Sequence, residues 1–422
     1  MDKNISLSAP LKRITVLDAL RGFALFGVII MHMLQHFGYR SGIGPQEAFS
    51  FPVLDEAFQW IGNNIIMGRF INIFAFLFGL SFFIQMDRAA RKGIDFRGRF
   101  VWRMIILMTM GLLCHSFYNL EIISIYGFFG LLLIPLYKVK NWVLMVIFMF
   151  FLIGGPRLIK VTHHNYNTAI ELASKNENIA TDEPRPNFQR SRELPEHIKN
   201  PSFFNSAKYN YEERLLGKIN YQFGLIGRGF ITYALFVFGF LIGRIRFFEK
   251  LEEQRSQNIK LFFGFTLATG MVILIINAMP PVNLRMLFRP DGQIIPTSLV
   301  IARALEDISM VLSSAALTIG FILMYQTAKF GKYLEVLSPY GRTGLTNYIM
   351  QGVIGAFLFS LWAFGAVFGG WGATALFVLG ILIYIIQIIL SKYWLKYYLY
   401  GPLEWLWRSL TYLKFQPYKR KN

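Results

Sequence analysis

One cysteine, Cys114, in 422 residues excludes an internal disulfide and any metal site built from several thiolates. Charge is also scarce. Asp, Glu, Lys and Arg make up 16% of the chain, against about a quarter in an ordinary soluble domain, which argues against a soluble globule. Acids are the scarcer kind: 24 Asp and Glu face 43 Lys and Arg, a formal net charge of +19. Such an excess can mark a nucleic-acid binder, but here the bases gather in connectors between long apolar runs. That is the positive-inside pattern of membrane topology, and it accounts for the charge without nucleic acid. What is abundant agrees. The chain is 54% hydrophobic, with 42 Phe, 20 Tyr and 8 Trp, as suits a bilayer protein with interfacial aromatics. The composition predicts an all-α fold, a polytopic transmembrane helical bundle.

Runs near the roughly 20 apolar residues that cross a bilayer predict about ten spans. They lie at 16–37, 60–86, 101–118, 121–137, 142–159, 223–245, 261–279, 298–325, 345–365 and 372–392. The chain thus divides into an N-terminus (1–15), five spans (16–159), a long connector (160–222), five further spans (223–392) and a tail (393–422). Lys3, Lys12 and Arg13 precede the first apolar run like the start of a signal peptide. That run holds Asp18, Arg21 and His32 and lacks a small-residue cleavage site, so it reads as a retained span. The connector with Arg88, Arg91, Lys92, Arg97, Arg99 and Arg103 is expected on the cytoplasmic side, as is the one with Arg244, Arg246, Lys250 and Arg255. With ten spans both termini are then cytoplasmic, in agreement with Lys414, Lys419, Arg420 and Lys421 in the tail. The expected location is the plasma (cytoplasmic) membrane.

Connectors on the other side differ: 38–59 sets Arg40 against Glu47, Asp55 and Glu56, and 366–371 has no charge. The long connector mixes Glu171, Lys175, Asp182, Glu183, Arg185 and Arg190 with four prolines. It reads either as a segment that caps the outer mouth or contacts an acceptor, or as a partly helical surface excursion. No sequence repeat relates the two halves, and no pair of broken helices stands out. The segment GPLEWLWRSLTYLKF (401–415) is too short and polar to span, and Trp405 and Trp407 suit an interfacial position.

Polar residues inside such spans are expensive, so they carry the functional reading. Arg21 and His32 are eleven positions apart, almost three helical turns, which puts them on one face about 16 Å apart along the axis. Asp18, one turn below Arg21, can pair with it. A snorkelling Arg with a helix-start Asp is the plainer alternative. A histidine with an ordinary pKa can take a proton from a hydroxyl or amine. His36 follows at i+4, a metal-ligand spacing, but no carboxylate motif surrounds it and no metal is expected. His36, Arg69, His115, Glu121, Arg303 and Glu306 fall at the outer level and form a candidate acceptor-side cluster, near which Arg228 also lies. Arg303 and Asp307 are one turn apart. Asp307 is either half of a structural pair or a catalytic carboxylate orienting His32. On the ninth span Thr343, Asn347 and Gln351 recur at i+4 with Arg342 at their mouth. They either hydrogen-bond between helices or line a donor channel. The candidate sites are thus His32 and Asp307 for catalysis, with Asp18, Arg21, Arg342, Asn347 and Gln351 for donor binding.

The blocks LDALRGFALFGVIIMH, GRFINIFAFLFGLSFF, GRTGLTNYIMQ and GPLEWLWRSLTY resemble the YeiB-like membrane proteins, a domain-of-unknown-function family, over nearly the whole chain apart from 160–222. That family is considered similar to the acyltransferase-3 proteins and the heparan glucosaminide N-acetyltransferases, multi-span transmembrane acyltransferases. Acyltransferase-3 proteins carry Arg, ten residues, then His on the first span, the spacing of Arg21 and His32. Many YeiB-like members have Asn at the position of His32.

The resemblance implies transfer of an acyl group, acetyl in particular, from a cytoplasmic donor such as acyl-CoA to an extracytoplasmic sugar, lipid or envelope acceptor. Arg21 would meet the donor phosphates, and His32 would act as general base or be acylated itself. Acyl-CoA enters as a co-substrate, and no tightly bound cofactor is expected. The partners are the bilayer, the small-molecule donor and the envelope acceptor, with a homo-oligomer left open. The other reading is a transporter or flippase whose buried charges line the path. The topology itself is testable. Alkaline phosphatase fused after Asn422 should be inactive and fused within 366–371 active, and the reverse pattern would overturn the assigned orientation.

Overall fold

The computed structural model describes residues 14–39, 49–177, 194–288 and 292–420. Lys3, Lys12, Arg13, Arg40, Glu47 and the stretch with Asp182, Glu183, Arg185 and Arg190 lie outside the described residues. The described residues are mainly helical: α1 (Thr15–Leu34), α2 (Pro52–Ile61), α3 (Arg69–Ala90), α4 (Arg97–His115), α5 (Ile123–Leu133), α6 (Asn141–Leu152) and α7 (Gly155–Glu177) come first. Short helices α8 (Glu196–Lys199), α9 (Phe203–Tyr209) and α10 (Leu215–Phe223) lead to α11 (Arg228–Arg244), α12 (Arg255–Ala278) and α13 (Thr297–Tyr325). The rest is α14 (Ala328–Glu335), α15 (Leu337–Arg342), α16 (Gly344–Phe359), α17 (Gly365–Phe368), α18 (Ala373–Tyr397) and α19 (Pro402–Tyr412). An isolated bridge, Tyr398 to Lys419, is the one extended pairing among the described residues.

A helix stands in each of the ten predicted spans, but not all are complete crossings. Among the described residues, five helices are long and apolar enough by themselves, and seven if two bent pairs each count as one. The bent pairs are α6 with α7, turning 46°, and α9–α10 with α11, turning 57°. Helix α5 has 11 residues, about 16 Å at 1.5 Å per residue, far short of a 30 Å hydrocarbon slab. The breaks were not legible as such, although glycines mark both: Gly154 and Gly227 sit at φ +81° and +63°, where a Cβ would be strained.

Helix α1 is the axis of the bundle. Its apolar face packs on α3, α13, α15, α16 and α18, and Leu20, Leu25 and Ile30 are fully buried. Helix α12 is the opposite case, with Phe263, Leu267 and Leu274 turned outward. Both fit a protein whose solvent is lipid, where a helix periphery stays apolar without a protein partner. The tail helix α19 is clamped onto α4: Trp407 Nε1 donates to the Arg103 carbonyl at 2.9 Å and Trp102 Nε1 to the Leu410 carbonyl at 3.0 Å. Trp407 is therefore part of the protein packing and not only an interfacial anchor.

Helices α3 and α11 pack closely, through small residues on both sides. A Cβ on Gly79 would stand 1.9 Å from the Phe236 carbonyl oxygen, and one on Gly239 2.0 Å from that of Phe76. Neither backbone can yield without separating the helices. Gly239→Val should therefore cost at least about 2–3 kcal/mol through overpacking, read as a lower unfolding midpoint of the purified protein in detergent. An unchanged midpoint would show that the two helices part freely.

Candidate functional site

Two cavities enter the bundle from opposite ends of α1. The smaller, about 260 Å³, lies at the end that carries the basic connectors and is lined by Arg21, Arg103, Arg342, Ser81, Glu404 and Trp407 among others. The larger, about 1110 Å³, lies at the other end and includes His32, Glu121, Lys218, Arg228 and Arg303 in its wall. Ile122 and Tyr126 line both. They form the partition between the two, with the Tyr126 hydroxyl donating to the Ile71 carbonyl at 3.2 Å.

At the basic end the predicted pair forms: Arg21 Nη1 meets Asp18 Oδ1 at 3.0 Å, and Nη2 donates to Ser81 Oγ at 2.6 Å. Asp18 is buried and Arg21 reaches the cavity, so the carboxylate offsets the cost of holding the guanidinium there. Arg103 stacks on the Trp407 ring at 3.6 Å, a cation–π contact that fixes a second guanidinium in the wall. Glu404 accepts from the Leu345 and Thr346 amides at 2.7 and 3.0 Å and from Thr346 Oγ1 at 2.6 Å, capping the start of α16. Burial pushes its carboxyl above the ordinary range, against the pull of those donors.

Asn347 and Gln351 line neither cavity. Asn347 Nδ2 donates to Thr343 Oγ1 at 2.8 Å and to Ser391 Oγ at 2.9 Å, while Gln351 Nε2 donates to the Tyr340 hydroxyl at 2.7 Å. The i+4 stripe turns toward α15 and α18 and holds three helices together, leaving Arg342 as its one member on the cavity.

At the other end α1 stops in an unusual reversal. His36 and Phe37 both take φ near +49°, a left-handed pair that side chains rarely adopt. The turn tucks Phe37 back against His32, with ring centroids 5.1 Å apart, while Tyr118 meets His32 edge-on at 6.2 Å. His32 is buried, and its Nδ1 has no hydrogen-bond partner among the described residues. Its orientation is set by stacking. His36 packs on Phe359, and Arg69 caps the turn before α3, donating to the Met67 carbonyl at 3.0 Å.

The remaining outer residues fall into separate groups. His115 is fully buried, with Nε2 donating to the Asn210 carbonyl at 3.0 Å. Glu121 accepts from the Ser124 amide at 3.0 Å and pairs with Lys218 of α10. Asp307 is gripped through both oxygens, by Arg157 Nη2 at 2.5 Å and Arg303 Nη2 at 2.9 Å, and Arg303 Nη1 also reaches Glu306 at 2.8 Å. No contact joins Asp307 to His32 among the described residues.

Sequence reasoning missed Arg157 and Lys218, although Arg157 stood inside an apolar run at GGPR, a signal of both a break and a buried charge. Arg157 is 1% exposed, and it donates to the Leu225 and Ile226 carbonyls at 3.1 and 2.8 Å, in the bend between α10 and α11. An arginine from one broken helix thus satisfies the open carbonyls of the other, and Asp307 neutralises it. Removing one partner of such a buried pair strands the other charge. Arg157→Met should destabilise by about 3–5 kcal/mol, measured by denaturant titration of the detergent-solubilised protein. Wild-type stability would show the network to be dispensable.

Residues 242–414 match the family described as "Protein of unknown function (DUF418)". The chain is also similar along its length to three curated proteins: Uncharacterized protein YxaH of Bacillus subtilis (strain 168), 24% identical over 97% of each chain; an uncharacterized 39.9 kDa protein from the amylase 3′ region of Bacillus acidopullulyticus, 27% identical over 95% of this chain and 94% of the relative; and Uncharacterized protein YeiB of Escherichia coli (strain K12), 24% identical over 95% of this chain and 97% of the relative. The DUF418 match takes in Arg303, Asp307, Arg342 and Glu404 but begins after α1. The chain is therefore an all-α helical membrane bundle that is similar along its length to YxaH and YeiB, and its residues 242–414 match the DUF418 family model.

Proposed function

We propose that this protein transfers an acyl group across the cytoplasmic membrane, from a cytoplasmic thioester donor to an acceptor outside. The observation that carries the reading is the pair of cavities meeting at Ile122 and Tyr126, with Arg21 in the wall of one and His32 in the wall of the other. The basic connectors support a cytoplasmic placement of the Arg21 end. Arg21, Arg103 and Arg342 suit the phosphates of an acyl-CoA, and its extended arm suits the roughly 16 Å from Arg21 to His32. His32 takes the proton of an acceptor hydroxyl or amine as that oxygen or nitrogen bonds the acyl carbon. The carbon–sulfur bond breaks, and the donor thiolate recovers the proton. Transfer requires Tyr126 to yield, which breaks a single hydrogen bond of that side chain.

A transporter or flippase is the second reading. It is favoured by the two bent helix pairs, because interrupted helices beside a central cavity are a recurring transporter device. The test is the acyl content of the cell envelope in a deletion strain complemented with wild type or His32→Ala. Transfer should restore O- or N-acyl groups with the wild type and fall by about 10²–10⁴-fold with the variant at equal membrane abundance. An acyl profile unchanged by both the deletion and the variant would remove the enzyme. Flux of a labelled substrate into proteoliposomes without acylated product would establish the transporter.

A further inference from the structure

The larger cavity is lined by five cationic side chains, Lys160, Arg214, Lys218, Arg228 and Arg303, and by one carboxylate, Glu121. Two of the five are neutralised in place, Lys218 by Glu121 and Arg303 by Asp307 and Glu306. Arg228 is different. It is 7% exposed, and its Nη2 donates to Asn72 Oδ1 at 2.5 Å and to the Gly68 carbonyl at 3.3 Å, both neutral acceptors. Its Nη1 has no partner, and no carboxylate pairs with Arg228 among the described residues. A buried guanidinium without an anion is held at high cost in a membrane protein. Arg228 is also the first residue of α11, immediately after the bend at Gly227. The positive end of a 17-residue helix dipole therefore adds to the charge at that spot. Gly224, Leu225 and Ile226 of the same bend line the cavity, so the helix start faces the space and not the lipid.

We infer that this cavity is a site for a phosphate-bearing ligand, anchored by Arg228 at the start of α11 and screened at the rim by Lys160 and Arg214. A phosphate presents the acceptor oxygens that the free Nη1 lacks and balances the unpaired charge. A cavity of about 1110 Å³ exceeds what a phosphate alone fills, leaving room for an attached glycerol or sugar beside His32. In naming the acceptor class this rests on the transfer reading, whereas the binding itself is measured without turnover and fails or stands separately.

The test uses the purified full-length protein in a neutral detergent, titrated with dihexanoyl phosphatidic acid, glycerol 3-phosphate, inorganic phosphate and, as a neutral control, dihexanoyl glycerol. Binding is followed by thermal shift and calorimetry. The phosphorylated probes should bind, the neutral one should not, and affinity should fall as salt rises. Arg228→Gln should weaken binding by roughly tenfold or more, the scale of one charge-assisted contact. Because Arg228→Gln also removes bonds to α3, the rim variant Lys160→Gln/Arg214→Gln serves as the second arm and should weaken binding several-fold in a stably folded protein. Competition by glycerol 3-phosphate or inorganic phosphate at concentrations comparable with the lipid points to a soluble phosphorylated ligand. Response to the lipid alone points to a headgroup. No binding of any phosphorylated probe, or binding that neither variant weakens, overturns the proposal.

Discussion

The contact on which the rest depends is the clasp of Arg157 on Asp307 and on the bend between α10 and α11. A helix cannot simply stop within a membrane protein, because its open carbonyls then face a medium that offers no hydrogen bonds. Here two helices stop, and the arginine following one break donates to the carbonyls of the other. That arginine needs a counter-charge, which α13 supplies as Asp307, and Asp307 in turn holds Arg303 at the cavity wall. One buried network thus permits both bends and sets α7, α11 and α13 against one another. The larger cavity opens beside it.

Charge is handled differently at the two ends of α1. Near the basic connectors two of the cations in the wall have a local device: Asp18 and Ser81 for Arg21, the Trp407 ring for Arg103. At the other end the positive charges outnumber the carboxylates that reach the cavity, and among the described residues Arg228 is met only by neutral oxygens. The first pattern makes a compact basic pocket, the second a field focused into a larger space. Between them the partition is thin: one tyrosine and one isoleucine touch both spaces. His32 is held there by aromatic faces, its place fixed by the left-handed turn that folds Phe37 underneath it.

The fold class was legible because a bilayer imposes it. Scarce charge, long apolar runs and basic connectors leave few structures other than a helical bundle, and the Asp18–Arg21 pair followed from helical spacing alone. Lys218 and Arg157 were not legible as site residues. Lys218 lies in a connector whose sequence leaves a cap and a surface excursion equally open, and only the packing of α10 on the bundle brings it to Glu121. The polar stripe of Thr343, Asn347 and Gln351 was visible as a stripe, but spacing along one helix cannot say which neighbour it faces.

The sequence by itself determined that the chain is helical, lies in a membrane, and aligns Arg21 with His32, since local periodicity and transfer free energy act on consecutive residues. Only the tertiary structure decided that Asp307 belongs to Arg157 and Arg303, that two helices are broken, and that one large cavity collects unneutralised positive charge. Those outcomes depend on which helices adjoin, and adjacency is settled by contacts far apart in the chain, such as the glycine-to-backbone fit of α3 on α11, that no single helix encodes alone.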